Sequence, residues 1–486
     1  SAEAAVSVAS LLAVQPHLNG PRRTVRGSSR RKTGSDEKPV QGTRATIAEL
    51  TEGLRQVVVE GEVFEVQRRL LKDQRQLLIC YLTDFTDSIM LKYFLEPDED
   101  LPFKEGDWIK VQGATRYDEF EKELVLSVQA WETAPVPKRV DDASEKRVEL
   151  HLHTVMSTLD GVVKIKDLLE RVAEWGHKAV AITDHGAVQA FPEAYDYAKL
   201  KGIKLVYGME GYLVDDLRQK QAYHIIILVR NREGLKNLYR LVSKSHLEGF
   251  YRNPRILRKQ LVELREGLIL GTACEAGELI TGYLQNKSDD ELERIASFYD
   301  FLEIQPLMNN EFLVREGRVS SFEDLIQMNR YIVELGERLN LPVIATGDVH
   351  FLDPHHEVFR RILQANKGYE DAEAQAPLYF RTTGEMLAEF AYLGKEKAYQ
   401  VVVINPNRLV EGVEDLQPVP DGNFFPSIPG AEEEIKTLAW EKAYQMYGRP
   451  LPELVRERLE RELAAIIDNK FSVLYLIAHK LVKRSN

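Results

Sequence analysis

The chain has 486 residues, of which 44% are hydrophobic and 29% charged, with a formal net charge of -12. That length accommodates about three domains with sizeable cores, and the acid excess speaks against a broad nucleic-acid-binding surface. No apolar run approaches the roughly 20 residues that span a bilayer, and the apolar start at 4–14 lacks the basic flank and cleavage site of a signal peptide. The only cysteines, Cys80 and Cys274, lie far apart, which argues against a disulfide framework and for a reducing compartment. A cytoplasmic protein with no membrane partner is expected.

Residues 1–43 read as a flexible basic segment. Arg22, Arg23, Arg26, Arg30, Arg31 and Lys32 crowd a Gly/Ser-containing stretch with no acidic residue among them. Such a tail is either solvated linker or an arm that contacts phosphate, and Arg22, Arg23 and Arg26 are the candidates for the second role. From 44 to 137 the pattern switches to alternation. Strands are predicted at 57–66, 76–83, 88–94, 107–116 and 123–131, punctuated by Gly61, Gly106, Gly113 and an acidic loop after Phe94. Five short strands in about ninety residues predict a small β-barrel, with an OB-fold the natural candidate. Tyr81, Phe85, Tyr93, Tyr117 and Phe120, with Lys92 and Arg116, either form a base-stacking face or belong to core and rim. Tyr93, Arg116 and Tyr117 are the nucleic-acid candidates there. Asp98 and Asp100 read as a solvated turn and make a poor pair for two-metal nucleotidyl transfer.

Residues 135–146, with two prolines, read as a linker. After it strands and helices alternate. Strand-like runs at 148–153, 178–183, 204–207, 224–229, 267–270 and 341–346 are separated by helical stretches, for example 165–175, 193–200, 234–247 and 321–339. This order predicts a parallel sheet closed, or nearly closed, into a distorted α/β barrel. Asp289-x-Glu291 reads as a helix start, where acids suit the dipole.

Most of these runs end in a side chain able to hold a metal. His151 and His153 share one strand face through the two-residue repeat, and Asp160 follows just ahead of Gly161. Asp184 and His185 follow 179–183, Glu210 follows 205–208, Cys274 follows 268–272, and Asp348 and His350 follow 343–347. His224 opens its run rather than closing it, so it needs a different approach to a common site. Barrels of this kind gather their chemistry where strands end, and imidazoles with carboxylates and a thiol suit a divalent cation.

The set His151, His153, Asp160, His185, Glu210, His224, Cys274, Asp348 and His350 resembles the nine ligands of the PHP (polymerase and histidinol phosphatase) domain. The matching motifs are H-L-H-T with its later D-G, T-D-H-G, G-M-E-G, the lone His224, C-E-A-G and G-D-V-H. The resemblance runs over 147–390 and implies up to three zinc, manganese or iron ions. It places one on His151, His153, Glu210 and Asp348, with Glu210 bridging to a second on His224 and Cys274. Asp160, His185 and His350 take the third. It implies either phosphate-ester hydrolysis or a site that only stabilises the fold.

A small barrel directly before a PHP domain resembles the PolC type of bacterial DNA polymerase III alpha subunit, the replicative polymerase of low-GC Gram-positive bacteria. The text R-A-T-I-A-E-L-T-E-G and G-E-V-F fits that family. So does 391–486, a mostly helical lead-in to a polymerase palm, with helices expected at 452–467 and 471–484. On this resemblance the chain is part of a DNA-directed DNA polymerase whose nucleotide-transferring residues fall outside it. The partners implied are template–primer and single-stranded DNA, deoxynucleoside triphosphates, a sliding clamp and other replisome proteins, with magnesium for polymerisation. Two departures stand out. In PolC proteins a proofreading exonuclease interrupts the PHP domain after the strand carrying the glutamate ligand, and here thirteen residues separate Glu210 from His224. The chain also stops before a palm's carboxylates arrive. The alternative is a self-sufficient PHP phosphoesterase or 3'-5' exonuclease with an OB module.

Overall fold

A computed structural model describes residues 40–71, 76–95, 103–369, 371–422, 424 and 426–485. Arg22, Arg23, Arg26, Asp98 and Asp100 lie outside the described residues. The chain divides into two compact units, Ser1–Arg139 and Val140–Asn486.

In the first unit β1 (Val57–Leu70), β2 (Gln76–Thr83), β3 (Ser88–Leu95), β4 (Trp108–Asp118) and β5 (Glu123–Thr133) form one sheet. Its order is β1-β2-β3-β5-β4, and β4 pairs back to β1, so the sheet closes on itself. β3 and β5 run parallel and every other pairing among these five strands is antiparallel, the arrangement of the five-stranded OB barrel. Alternation fills the interior with Val57, Val59, Val63, Leu78, Cys80, Leu82, Leu91, Val111 and Leu126. β1 continues to Leu70, beyond its apolar pattern, because 67–70 pair with 76–79 in a hairpin extension that is largely exposed on the β1 side. Gly61 is not punctuation but mid-strand: a Cβ there would meet the Thr83 carbonyl oxygen at 2.3 Å.

The second unit carries β6 (Ala179–Ile182), β7 (Lys204–Val214), β8 (Tyr223–Val229), β9 (Asn253–Leu257), β10 (Leu268–Gly271), β11 (Leu302–Ile304) and β12 (Val343–Ala345). β6–β7, β7–β9 and β11–β12 are parallel. Isolated parallel bridges carry the circuit onward, Gly271 to Phe301, Val349 to Leu152 and Glu149 to Val180. The barrel therefore closes, in a distorted form. The expectation of a uniformly parallel sheet needs correction, since β8 runs against both β7 and β10. The eight residues between β7 and β8 suffice for a hairpin, whereas a parallel return needs a crossover of a dozen or more.

The predicted strand at 148–153 is also irregular. The Leu150 and His151 N–H groups both donate to Glu149 Oε1 at 3.0 Å, and Leu152 N–H to Thr183 Oγ1 at 2.8 Å. Side chains thus take the donors that a regular ladder would use.

Helices α1 (Ile165–Glu174), α2 (Phe191–Lys201), α3 (Arg232–Leu247) and α4 (Phe322–Leu339) pack around this barrel. α1 buries Ile165, Leu168, Leu169 and Val172 on one stripe, each contributing roughly 1.5–3 kcal/mol. At the start of α3 Gly234 lies on the backbone of Gly267, where a Cβ would come within 1.8 Å of the Gly267 oxygen. Ser288 caps the helix Asp289–Ala296 through a capping box with Glu291, as its acids suggested. The second half of the expected linker belongs to the larger unit. Buried Asp141 accepts from His177 Nε2 at 2.8 Å and from the Thr383 N–H and hydroxyl at 2.7 Å each.

Further on come α5 (Glu357–Lys367), α6 (Ala431–Tyr447), α7 (Glu453–Asp468) and α8 (Ser472–Ser485). α6 was not evident in sequence because it buries only Ala431 and Ala443 and shows no apolar stripe. Among the described residues no helix is long and apolar enough to cross a membrane.

Candidate metal centre

All nine candidate donors meet at one end of the larger barrel. His151 Nε2 lies 3.1 Å from His153 Nε2, 3.5 Å from Glu210 Oε1 and 3.2 Å from Asp348 Oδ1. His153 Nε2 lies 3.3 Å from Glu210 Oε2 and 3.4 Å from Asp348 Oδ1. The second group shares Glu210, whose Oε1 is 2.8 Å from His224 Nδ1 and 3.6 Å from Cys274 Sγ. His224 and Cys274 stand 3.4 Å apart. In the third group Asp160 Oδ2 is 3.4 Å from His185 Nε2 and 3.7 Å from His350 Nε2. His224 reaches the site because β8 is reversed: its first residues pair with the last turn of β7, opposite Tyr212.

These separations fit a cation. Donors about 2.0–2.1 Å from a tetrahedral zinc stand about 3.3–3.4 Å apart, close to the 3.1–3.5 Å spacings around His151 and His153. Asp348 Oδ1 is buried near three imidazoles yet has no hydrogen-bond partner among the described residues. Asp348 also adopts φ +49°, a left-handed conformation that a non-glycine residue holds only when its surroundings enforce it. Three overlapping groups, His151–His153–Glu210, His185–Glu210–His224 and His153–His185–His350, could each hold an ion.

The buried charges at this site compensate one another. Burial works against a charged His151, but Glu303, Asp348 and Glu210 outweigh it and raise its pKa well above the usual imidazole range. His185 is likewise pushed up to about 10 by Glu210 and Asp160 against its burial. Glu210 stays well below the usual carboxylate range, His224, His185 and His151 overcoming its burial. Burial, then Glu275, Glu210 and Asp348, push the Cys274 thiol well above its ordinary value. The thiol therefore becomes a ligand only when a cation supplies the opposing charge.

Several supporting residues escaped sequence reasoning. Glu303 Oε1 accepts from His151 Nδ1 at 2.6 Å and from the Thr346 hydroxyl at 2.6 Å. Ser157 Oγ sits 3.0 Å from His153 Nδ1 and donates to Asp184 Oδ1 at 2.7 Å. Such contacts fix which imidazole nitrogen faces a metal. Glu149, in an ion pair with Arg147 at 2.5 Å, accepts from the Gly347 N–H and so joins the two ligand-bearing segments. The nearest signal was position alone, since Glu149 and Gly347 flank the histidine and aspartate motifs. Seven of the nine donors line a cavity of about 330 Å³, and His151 and His153 do not.

The barrel candidates divide between two faces, Arg116 on one and Tyr93 and Tyr117 on the other. Tyr93 packs against the interior core. Arg116 pairs with Val125 of an outer-face cluster, whereas Tyr117 pairs with Leu124, which packs on the interior core. Neighbouring residues on a strand face opposite ways. Lys92 is buried against Asp118 at 2.8 Å and Glu121 at 3.4 Å.

Comparison with known proteins finds two matching segments, both in the larger unit. Residues 149–306 match the PHP domain, and residues 433–486 match the bacterial DNA polymerase III alpha NTPase domain. The chain thus carries a PHP domain and a segment of the bacterial polymerase III alpha type. It is a homologue of PolC-type DNA polymerase III. The Clostridium perfringens protein of that name is 34% identical over 92% of this chain and 45% of its own length. The one from Caldanaerobacter subterraneus is 35% identical over 92% and 46%, and that from Bacillus subtilis 31% identical over 90% and 45%. The chain spans about half the length of these relatives. The first alignment has 651 positions against about 450 residues of this chain, so that relative carries about 200 residues without a counterpart here. Among solved structures, a domain of replication protein A from Methanococcus maripaludis is 25% identical, covering 19% of this chain and 94% of that one, with a TM-score of 0.16. A putative metal-dependent phosphoesterase from Bifidobacterium adolescentis is 14% identical, covering 44% and 88%, with a TM-score of 0.28.

Proposed function

We propose that this chain supplies the OB and PHP modules of a bacterial replicative DNA polymerase acting in the cytoplasm. The whole protein would use template–primer DNA, deoxynucleoside triphosphates and magnesium, with a sliding clamp and other replisome proteins as partners. The observation that carries this reading is 34% identity with a PolC-type enzyme along 92% of the chain. Nucleotide transfer is assigned to no residue here. Depleting the protein in the cells that make it should stop incorporation of labelled thymidine within a doubling, and continued chromosomal synthesis would sink the reading.

Within the PHP domain (147–390), His151, His153, Glu210 and Asp348 would hold one divalent ion, and His224 and Cys274 would hold another that shares Glu210. Asp160, His185 and His350 would hold the third; zinc, manganese and iron all suit the donors. When bound, such ions supply Lewis acidity toward a phosphate ester. The chain's own part is to fix the imidazoles through Glu303 and Ser157 and to present Arg360 at the cavity wall. A second reading, metal-dependent phosphoesterase or 3'-5' exonuclease activity, is favoured by the cavity over seven of the donors. Metal-loaded protein should then release nucleotides from single-stranded DNA or cleave small phosphomonoesters. Hydrolysis of neither would leave the ions a bracing role.

For the barrel and tail, Arg116, Tyr93, Tyr117 and Arg22, Arg23 and Arg26 are the proposed DNA contacts. Deleting residues 1–40 should flatten the salt dependence of single-strand binding. An unaltered slope would remove the tail from the interface.

A further inference from the structure

Helix α5 lies along the cavity but buries none of its residues, so packing alone gives it little stability. Its main tie to the barrel is at Asp160, which both Arg360 and Gln364 contact, the Gln364 Nε2 lying 3.3 Å from Asp160 Oδ1. Arg360 Nη2 and Nε donate to Asp160 Oδ1 at 2.7 and 3.0 Å, and Nη1 donates to Gln375 Oε1 at 2.7 Å. A second contact, Lys367 Nζ to the Thr158 carbonyl at 3.3 Å, reaches the same loop.

The Arg360 contact divides the Asp160 carboxylate. Two N–H groups of a rigid guanidinium converge on Oδ1, which leaves Oδ2 turned toward His185 and His350. A lysine, with a single rotating ammonium, cannot fix that orientation as well. An ion at this set would take these three residues as protein donors, against four around His151 and His153. Three protein donors with open positions mark a catalytic rather than a structural centre.

Resting on the three-ion reading above, we propose that Arg360 is a positioning residue that restricts Asp160 to one ligand oxygen. It thereby sets the affinity of the ion on Asp160, His185 and His350 and couples that ion to the order of α5.

The test is metal content per chain, measured on the full chain by plasma mass spectrometry after loading with manganese or zinc and desalting. Wild type should hold three ions. Arg360→Ala should hold two, its third ion binding about 10–100-fold more weakly, and Arg360→Lys should fall between. Arg361→Ala, on the same helix but facing Glu373, should keep three. Hydrogen exchange supplies a second readout. Metal should slow exchange in α5 of wild type, fail to do so in Arg360→Ala, and leave α1 alike in both. Three tightly held ions in Arg360→Ala would overturn the role of Arg360 while leaving the three-ion reading intact. Loss of every ion from a variant folded by circular dichroism would overturn it too, because the effect would not be selective. A wild type holding fewer than three ions would overturn both.

Discussion

Replacing Glu210 by Gln preserves shape and removes the charge that joins two groups of donors. Its Oε1 lies within 3.6 Å of His224, His151 and Cys274, and its Oε2 within 3.3 Å of His185 and His153. An amide offers one acceptor oxygen and no charge, so one group must lose a ligand and cation–cation repulsion goes unopposed. We expect at least one ion fewer per chain. An ion present at a hundred times its Kd adds about 2.7 kcal/mol to stability. For a unit this large, losing that should lower Tm by about 5 °C, at roughly 2–4 °C per kcal/mol for somewhat smaller domains. The assay is metal analysis with melting curves, each with and without chelator. The chelated pair isolates what Glu210 contributes through its imidazole contacts alone, and chelation should lower wild type toward the variant. His246→Ala, whose ring instead lies 2.9 Å from the Gly186 carbonyl, should keep its metal. Full metal content and an unshifted melt in Glu210→Gln would mean that Glu210 is no ligand.

Glu303→Gln should weaken metal binding about 10–100-fold by freeing the His151 ring, read by competition with a coloured chelator; unchanged affinity would make Glu303 a packing residue. Gly234→Ala should destabilise the chain by about 1–3 kcal/mol or more through overpacking against Gly267, seen as a lower urea midpoint, and an unmoved midpoint would show that the α3 start can shift freely. Stability should also fall on acidification below about pH 6.5. Burial lowers the pKa of His177, against the pull of Asp141, so the unfolded chain takes up a proton that the folded chain refuses. Asp141 extends the loss below about pH 4, since hydrogen bonds from His177 and Thr383 overcome its burial and hold its carboxyl down. His177→Gln should flatten the upper part of that profile, and an unchanged slope between pH 5 and 7 would place the titration elsewhere.

Where sequence was legible, a period or a residue type carried the information. Alternation gave the barrel strands because one face of each is interior, and it faltered at 67–70, where the hairpin leaves the core. Donor residues stood out at the ends of apolar runs because few other roles need His, Asp and Cys there. Sequence order could not reveal that β8 is reversed, so His224 looked misplaced until its pairing with β7 was known. Glu303, Ser157 and Arg360 were invisible for another reason. They are ordinary residue types, and Glu303 and Arg360 meet their partners across 152 and 200 positions. Arg116 and Tyr117 cannot share one face, because adjacent positions on a strand point to opposite sides.

Crystals of the metal-loaded chain, measured on either side of the absorption edge of the loaded metal, test the central claim most directly. Three anomalous peaks should appear. One should lie among His151, His153, Glu210 and Asp348, one among Glu210, His224 and Cys274, and one among Asp160, His185 and His350. An empty cavity, or metal only at an outlying cluster such as Asp353, His355 and His356, would contradict the account.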